Sequence, residues 1–249
     1  MRAVFRTDIG RIREHNEDSG GVFANQSGQY LAVVADGMGG HRAGDVASAM
    51  AVAYLQEQWE QEHHLPSPAE AEQWLKGHIA AANERLFRYA LSHPECQGMG
   101  TTVVGAICAG SFVTIAHIGD SRCYLLNQNG IQQLTDDHSL VNELVKSGQI
   151  SKEDAEHHPR KNVLLRALGT ETAVKVDVKT VSVDDGDMLL LCSDGLSNKV
   201  PEQDIVHILT SGGTLEEKAE SLIVLANERG GEDNISLAVI DFSSEREGG

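Results

Sequence analysis

The run from Leu31 to Ala35 consists of five small or branched apolar residues. Consecutive small or branched apolar residues suit a short strand buried on both faces. It stops at Asp36, and glycines follow at 37, 39 and 40. They let the backbone turn sharply and approach closely whatever the acid holds. By the same reading, residues 2–7, 19–25 and 30–35 are strands, the last two joined as a hairpin by a Gly/Ser turn. Residues 45–64 place Ala47, Met50, Ala51, Tyr54 and Leu55 at helical spacing, and 69–92 do so with Ala71, Leu75, Ile79, Ala82 and Leu86. The break at Leu65-Pro66-Ser67-Pro68 predicts that these two helices run antiparallel. Strands at 101–108, 112–118, 122–127 and 130–134 follow in quick succession, and their short connections predict one antiparallel meander. Helical pieces at 140–147 and 152–157 sit in a polar stretch, 136–169. Strands at 174–181 and 188–192, helices at 201–210 and 215–229, and a strand at 235–242 complete the pattern. No repeat, Pro-rich linker or composition break interrupts it. A single α+β domain over 1–243 is expected, with helices covering an antiparallel core and a frayed tail at 244–249.

Composition then narrows the function. An apolar content of 41% permits a sizeable core, while 37 acids against 20 bases leave a net charge of −17 with no basic cluster. That excludes nucleic acid and anionic membrane as main partners. Cys96, Cys108, Cys123 and Cys192 form neither a C-x-x-C pair nor paired Cys/His spacing, which suits a reducing compartment without a zinc site. The first residues lack the apolar core of a signal peptide, and no run is long enough to cross a bilayer, so a cytoplasmic protein is expected.

Acids recur in one setting. Asp36 ends an apolar strand, Asp194 follows another, Asp18 and Asp233 directly precede strands, and Asp120 lies in I-G-D-S-R between two strands. A single Asp-Gly turn means little. Several at strand ends, able to meet at one sheet rim, bring like charges together at a cost that cations would offset. Oxygen ligands suit Mg²⁺ or Mn²⁺. Two such ions about 3.5–4 Å apart can bridge and deprotonate a water. Arg13 offers the planar fork that grips a phosphate. The combination points to phosphate ester hydrolysis.

The stretches G-R-I-R-E-H-N-E-D, V-A-D-G-M-G-G-H, G-M-G-T-T, G-D-S-R, T-D-D-H-S, L-L-C-S-D-G-L and G-E-D-N-I, in this order from Thr7 to Phe242, resemble the metal-dependent protein phosphatases of the 2C family, bacterial Ser/Thr type. The resemblance implies a four-layer α-β-β-α sandwich of two antiparallel sheets, with a dinuclear Mn²⁺ or Mg²⁺ centre at one end. It implies Asp36 bridging both ions, the Gly37 carbonyl on one, and Asp18, Asp194 and Asp233 as further ligands. Asp120 with Asp194 resembles a third-metal site, Arg13 would hold the substrate phosphate, and 136–169 corresponds to a mobile flap. Phosphoserine and phosphothreonine proteins are the implied substrates, including a Ser/Thr kinase that the enzyme opposes, and a monomer is expected.

One position departs from the pattern. Eukaryotic members place a histidine directly after the Asp-Gly pair, and here that residue is Met38. The nearest histidine, His41, is a candidate for protonating the leaving group, for ordering water, or for merely flanking the helix start. His117 reads as a satisfied core or supporting residue and Cys192 as core. Ser193 lacks the G-x-S-x-G elbow of a serine hydrolase. Asn162 and Arg166 also match the family pattern, with Arg166 a candidate brace for the flap. A catalytically dead phosphoprotein binder would be expected to have lost metal acids. A Ca²⁺ protein would carry a contiguous D-x-D-x-D-G loop, which is absent. Catalysis is the reading these residues favour.

Overall fold

The computed structural model describes residues 1–40 and 43–244, with the side chain of Glu156 left aside. The chain begins with β1 (Arg2–Asp8), β2 (Asp18–Ala24) and β3 (Tyr30–Met38), then two long helices, α1 (Ala43–Gln61) and α2 (Pro68–Ser92). β4 (Gly100–Thr101), β5 (Val103–Ala109), β6 (Phe112–Ile118), β7 (Arg122–Asn127) and β8 (Gly130–Gln133) follow. Next come α3 (Leu140–Lys146), α4 (Lys152–Glu156), β9 (Asp177–Ser182), β10 (Met188–Cys192), α5 (Asp194–Ser197), α6 (Glu202–Thr210), α7 (Leu215–Glu228) and β11 (Ile235–Asp241).

Two antiparallel sheets stack face to face. One has the order β1-β11-β10-β7-β8 and the other β2-β3-β5-β6-β9, with β4 paired to β3. Leu31, Val33 and Ala35 on β3 face α1 and α2, while Ala32 and Val34 face the other sheet. On β11, Ile235, Leu237 and Val239 face α5–α7, and Ala238 and Ile240 face inward. Both faces of each central strand are therefore covered, which is why these strands read as unbroken apolar runs rather than alternating ones. The result is the expected α-β-β-α sandwich. Ala32, Ala106 and Ala238 on the facing surfaces let the two sheets approach closely.

Helix ends are written locally. Ser67 caps α2 by accepting the Glu70 amide at 3.3 Å, with Pro68 in the first turn, and Thr214 and Glu217 form a capping box on α7. Trp59, fully buried, meets Trp74 edge-on at 5.0 Å, and its indole N–H donates to the Phe23 carbonyl at 3.0 Å. Tyr54 sits against His78 further along α2, so the helices run antiparallel as expected.

The structure corrects the meander. β5 pairs β6, and β7 pairs β8, but β6 and β7 lie in different sheets. Gly119-Asp120-Ser121 carries the chain from one sheet to the other. The strand expected at 101–108 is interrupted at Thr102, and the one expected from 174 starts at Asp177. Asp36 does not end its strand either, because β3 continues to Met38 by pairing with β4.

Strand direction gathers the functional segments. Asp18 opposes Asp36 across β2 and β3, and Val103 opposes Ile118 across β5 and β6. Cys192 opposes both Arg122 and Leu237. The starts of β2, β7 and β11 and the ends of β6 and β10 thus lie at one rim, the rim toward which β3 runs.

Candidate active site

Asp36 is held by its backbone. Its amide donates to Thr102 Oγ1 at 2.9 Å, and its carbonyl accepts from the Thr102 amide at 2.8 Å and from Thr101 Oγ1 at 2.9 Å. The carboxylate is left to point elsewhere. Asp18, its cross-strand partner, accepts from Ser193 Oγ at 2.7 Å, and Ser193 Oγ accepts from the Ser236 amide at 3.0 Å. This ties β2 to the β10–β11 end of the other sheet. Asn234, buried, accepts the Glu17 amide at 2.7 Å and donates to the carbonyls of Ile9 and His15 at 2.8 and 3.0 Å. It therefore staples the loop that carries Arg13 and Asp18 to the segment that carries Asp233. The Glu17 carbonyl accepts from the Gly37 amide at 3.1 Å and from Ser48 Oγ at 2.6 Å, docking α1 on the same point.

Two glycines are required by close approach. A Cβ on Gly37 would lie 2.0 Å from the Gly44 carbonyl oxygen, and one on Gly195 would lie 2.0 Å from that of Asn234.

The acids act on one another. Asp36 is held well above the ordinary carboxylate range, first by burial and then by Asp18, Asp194, Asp120 and Asp233. Burial pushes Asp18 up to about 7; the Ser193 hydroxyl pulls the other way, and Asp194 and Asp233 add to the rise. Asp120 also rises to about 7, through burial and then the charges of Asp194 and Asp137. Asp194 is raised by burial and by Asp233. All five sequence-singled acids thus meet at this rim. Among the described residues, Asp18 Oδ1 and Asp194 Oδ1 are buried without a hydrogen-bond partner, although Asn198 donates to Asp194 Oδ2 at 3.1 Å. A cluster of buried carboxylate oxygens left unpaired fits a hard divalent cation.

Arg13 reaches the cluster but is engaged there. Its Nη2 donates to Asp233 Oδ2 at 2.9 Å and its Nε to the Glu232 carbonyl at 3.3 Å. His41 lies outside the described residues. Beside Asp120 and Asp194 a cleft of about 870 Å³ opens between α3–α4 and the 197–202 segment, with Asn142, Lys161 and Lys199 among its lining. Arg122 pins the cleft's base through a bidentate pair with Asp137, Nη2 to Oδ2 being 2.7 Å.

His117 and Cys192 are core residues as expected. His117 Nε2 donates to the Asp136 carbonyl at 2.9 Å, and burial pushes the Cys192 thiol up to about 12, away from any nucleophilic role. Arg166 bonds Asp177 at 3.3 Å, at the base of the 136–169 segment. Thr101, Thr102, Asn234 and His138 were not singled out by sequence, and Ser193 was weighed only as a nucleophile, not as the support of Asp18 that it is. Their signal lay in the motifs themselves, where each stands within two residues of an acid or of its supporting strand.

A helix-covered double sheet with an all-carboxylate rim and an adjoining cleft defines a hydrolase built around hard divalent ions. The chain belongs to the protein phosphatase 2C family, whose pattern matches residues 11–225. A serine/threonine phosphatase, stp, of Listeria welshimeri is 55% identical over 241 residues, 97% of this chain and 96% of that protein. A crystal structure of a bacterial serine phosphatase superposes with a TM-score of 0.94 at 41% identity, covering 99% of both chains. The catalytic domain of the serine/threonine phosphatase PstP, solved with two manganese ions, gives 0.85 at 36% identity over 98% of each. The protein is a metal-dependent protein serine/threonine phosphatase.

Proposed function

We propose that Asp18, Asp36, the Gly37 carbonyl, Asp194 and Asp233 hold two Mn²⁺ or Mg²⁺ ions at this rim, with Asp36 shared between them. The observation that carries the assignment is a pair of buried oxygens, Asp18 Oδ1 and Asp194 Oδ1, without a partner among the described residues, inside a cluster of mutually repelling carboxylates. When bound, the ions supply Lewis-acid polarisation of the phosphoryl group and a water made nucleophilic near neutral pH. Arg13 grips two phosphoryl oxygens and orients the ester, exchanging its contact with Asp233 for one with substrate. Ser193 and Asn234 hold Asp18 and the Arg13 loop against the opposite sheet, so the phosphate grip and the metal acids keep one geometry. Asp120, with Asp194, takes a third and weaker ion beside the cleft, and the 136–169 segment acts as the flap over it.

The substrates are phosphoserine and phosphothreonine proteins, among them a Ser/Thr kinase that the enzyme opposes, and the enzyme works as a cytoplasmic monomer. No helix among the described residues is long and apolar enough to cross a membrane. Large exposed apolar side chains such as Ile12, Leu91 and Val224 are spread along the chain. Hydrolysis of a phosphothreonine peptide, with Mn²⁺ and with excess EDTA, tests the assignment. Activity is expected only with the metal, and full turnover in EDTA would overturn it.

A further inference from the structure

The loop Gly119-Asp120-Ser121 is bolted on both sides. On one side, Ser121 Oγ shares a 2.7 Å hydrogen bond with Thr102 Oγ1, which also accepts the Asp36 amide. On the other side, both polar groups of Gly119 end on one residue. The Gly119 amide donates to His138 Nδ1 at 3.1 Å, and the Gly119 carbonyl accepts from the His138 amide at 2.9 Å.

An accepting Nδ1 puts the proton of the neutral ring on Nε2. There it meets Asp177 Oδ2 at 3.1 Å, while Arg166 Nη1 reaches Asp177 Oδ1 at 3.3 Å and Lys175 Nζ lies 3.9 Å from the same oxygen. The ring of His117 stacks on that of His138, with centroids 4.6 Å apart and planes 17° from parallel. His138 is buried. It also forms the root of the flap: its carbonyl accepts from the Leu165 amide at 2.8 Å, and Ser139 bridges to Leu164.

Ligand atoms of His117, His138 and Asp177 lie within 4.8 Å of one another. A cation is nevertheless a poor occupant. Two stacked rings aim their edges in parallel rather than at one point, His117 Nε2 is spent on the Asp136 carbonyl, and Arg166 Nη1 lies 3.2 Å from His138 Nε2. The guanidinium is the cation this cluster already holds.

We propose that His138 is a positioning residue for Asp120: Asp177, braced by Arg166, sets the His138 tautomer, and that tautomer holds Gly119 and with it the Asp120 carboxylate at the cleft, joining the flap root to the third-ion acid. The inference rests on the reading of Asp120 as that acid. Asp177 begins β9, so the acid that sets the tautomer comes from a strand of the β2-β3-β5-β6-β9 sheet, while Arg166 comes from the flap segment. A supporting hydrogen bond of this kind commonly changes metal affinity by roughly 10- to 100-fold when it is lost.

Calorimetric titration of the metal-free protein with Mn²⁺, followed by melting of each variant, tests it. Asparagine at 138 reproduces an acceptor at the Nδ1 position, and glutamine reproduces the donor at Nε2 but not that acceptor. His138→Asn is expected to keep the weak binding event close to the parent. His138→Gln is expected to weaken it roughly 10- to 100-fold with the two tighter ions intact, as Asp120→Asn removes it. Equal loss in both His138 variants, or parent-like weak binding in His138→Gln while Asp120→Asn loses it, would overturn the positioning role. Parent-like weak binding in Asp120→Asn would remove the third ion and this inference with it. Asp177→Asn leaves every main-chain bond of residue 138 in place and carries the same test should His138→Gln fail to fold. It is expected to weaken the same event with a near-parent melting temperature, and an unchanged event overturns the proposal.

Discussion

Arg13 Nη2 and Asp233 Oδ2 stand 2.9 Å apart, so the side chain proposed to grip phosphate rests on an acid proposed to hold metal. Both side chains are more than a third exposed, and solvent screens the pair, so it adds little to stability. Its consequence is positional. The guanidinium waits at the edge of the cluster instead of sampling solvent, and the Asn234 staple keeps its loop there.

Arg13→Ala should therefore cost substrate engagement without emptying the metal site. Loss of a charged hydrogen-bonded partner predicts a fall of about 1.5–3 kcal/mol in transition-state binding, roughly 10- to 150-fold in kcat/KM. Calorimetry should still show two tight Mn²⁺ ions. A variant that loses metal instead would mean that Arg13 supports Asp233 and not the phosphate.

Asp36→Asn should separate stability from function. It replaces an acid that can ionise only against burial and its neighbouring carboxylates with a neutral amide, so the metal-free protein should gain on the order of 1 kcal/mol, roughly 2–4 °C in melting temperature for a domain of this size. Turnover should vanish, since no neighbour can be shared by both ions. A destabilised Asp36→Asn protein would show that the cluster is not repulsive without metal.

The pH dependence of stability has a definite sign. Asp18 and Asp120 have folded-state values raised to about 7, against about 3.9 for an unfolded aspartate. Below the unfolded value both states carry the proton, and the stabilising contribution is fully present. Between the two values only the folded state holds it, so stability falls as pH rises through 7. Metal-free protein should melt at a lower temperature at pH 8 than at pH 5.5, and saturating Mn²⁺ should abolish or reverse that difference. Parallel melting curves with and without Mn²⁺ across this range would contradict the coupling.

Gly195→Ala should damage fold and site together. The new Cβ would sit 2.0 Å from the Asn234 carbonyl oxygen, forcing apart the segments that carry Asp194 and Asp233. A loss of about 1–3 kcal/mol in unfolding free energy is expected, with weakened Mn²⁺ binding by calorimetry. A neutral substitution would show that the two segments move apart freely.

The chain's local grammar by itself determined most of the elements. Leu31–Ala35 suited a strand covered on both sides because its run is short, apolar throughout and closed by an Asp-Gly turn signal. The Pro66 and Pro68 break and the spacing of Ala71, Leu75 and Ile79 separated and oriented α1 and α2. The acids were legible too, because aspartate recurs at the edges of apolar runs, beside a glycine at positions 36, 120 and 194. Tertiary structure alone decided where β6 leads. A three-residue connection through Gly119, Asp120 and Ser121 serves a hairpin or a step between sheets equally well, and the choice rests with β9 and β10, which pair with β6 and β7 from far along the chain. The same holds for the supports of the site. Thr102 meets the Asp36 amide, Ser193 meets Asp18, and Arg13 meets Asp233 across separations of 66, 175 and 220 residues. Local propensity acts over a few neighbours, whereas such contacts exist only once sheet register and the stacking of two sheets have brought distant backbone to one rim.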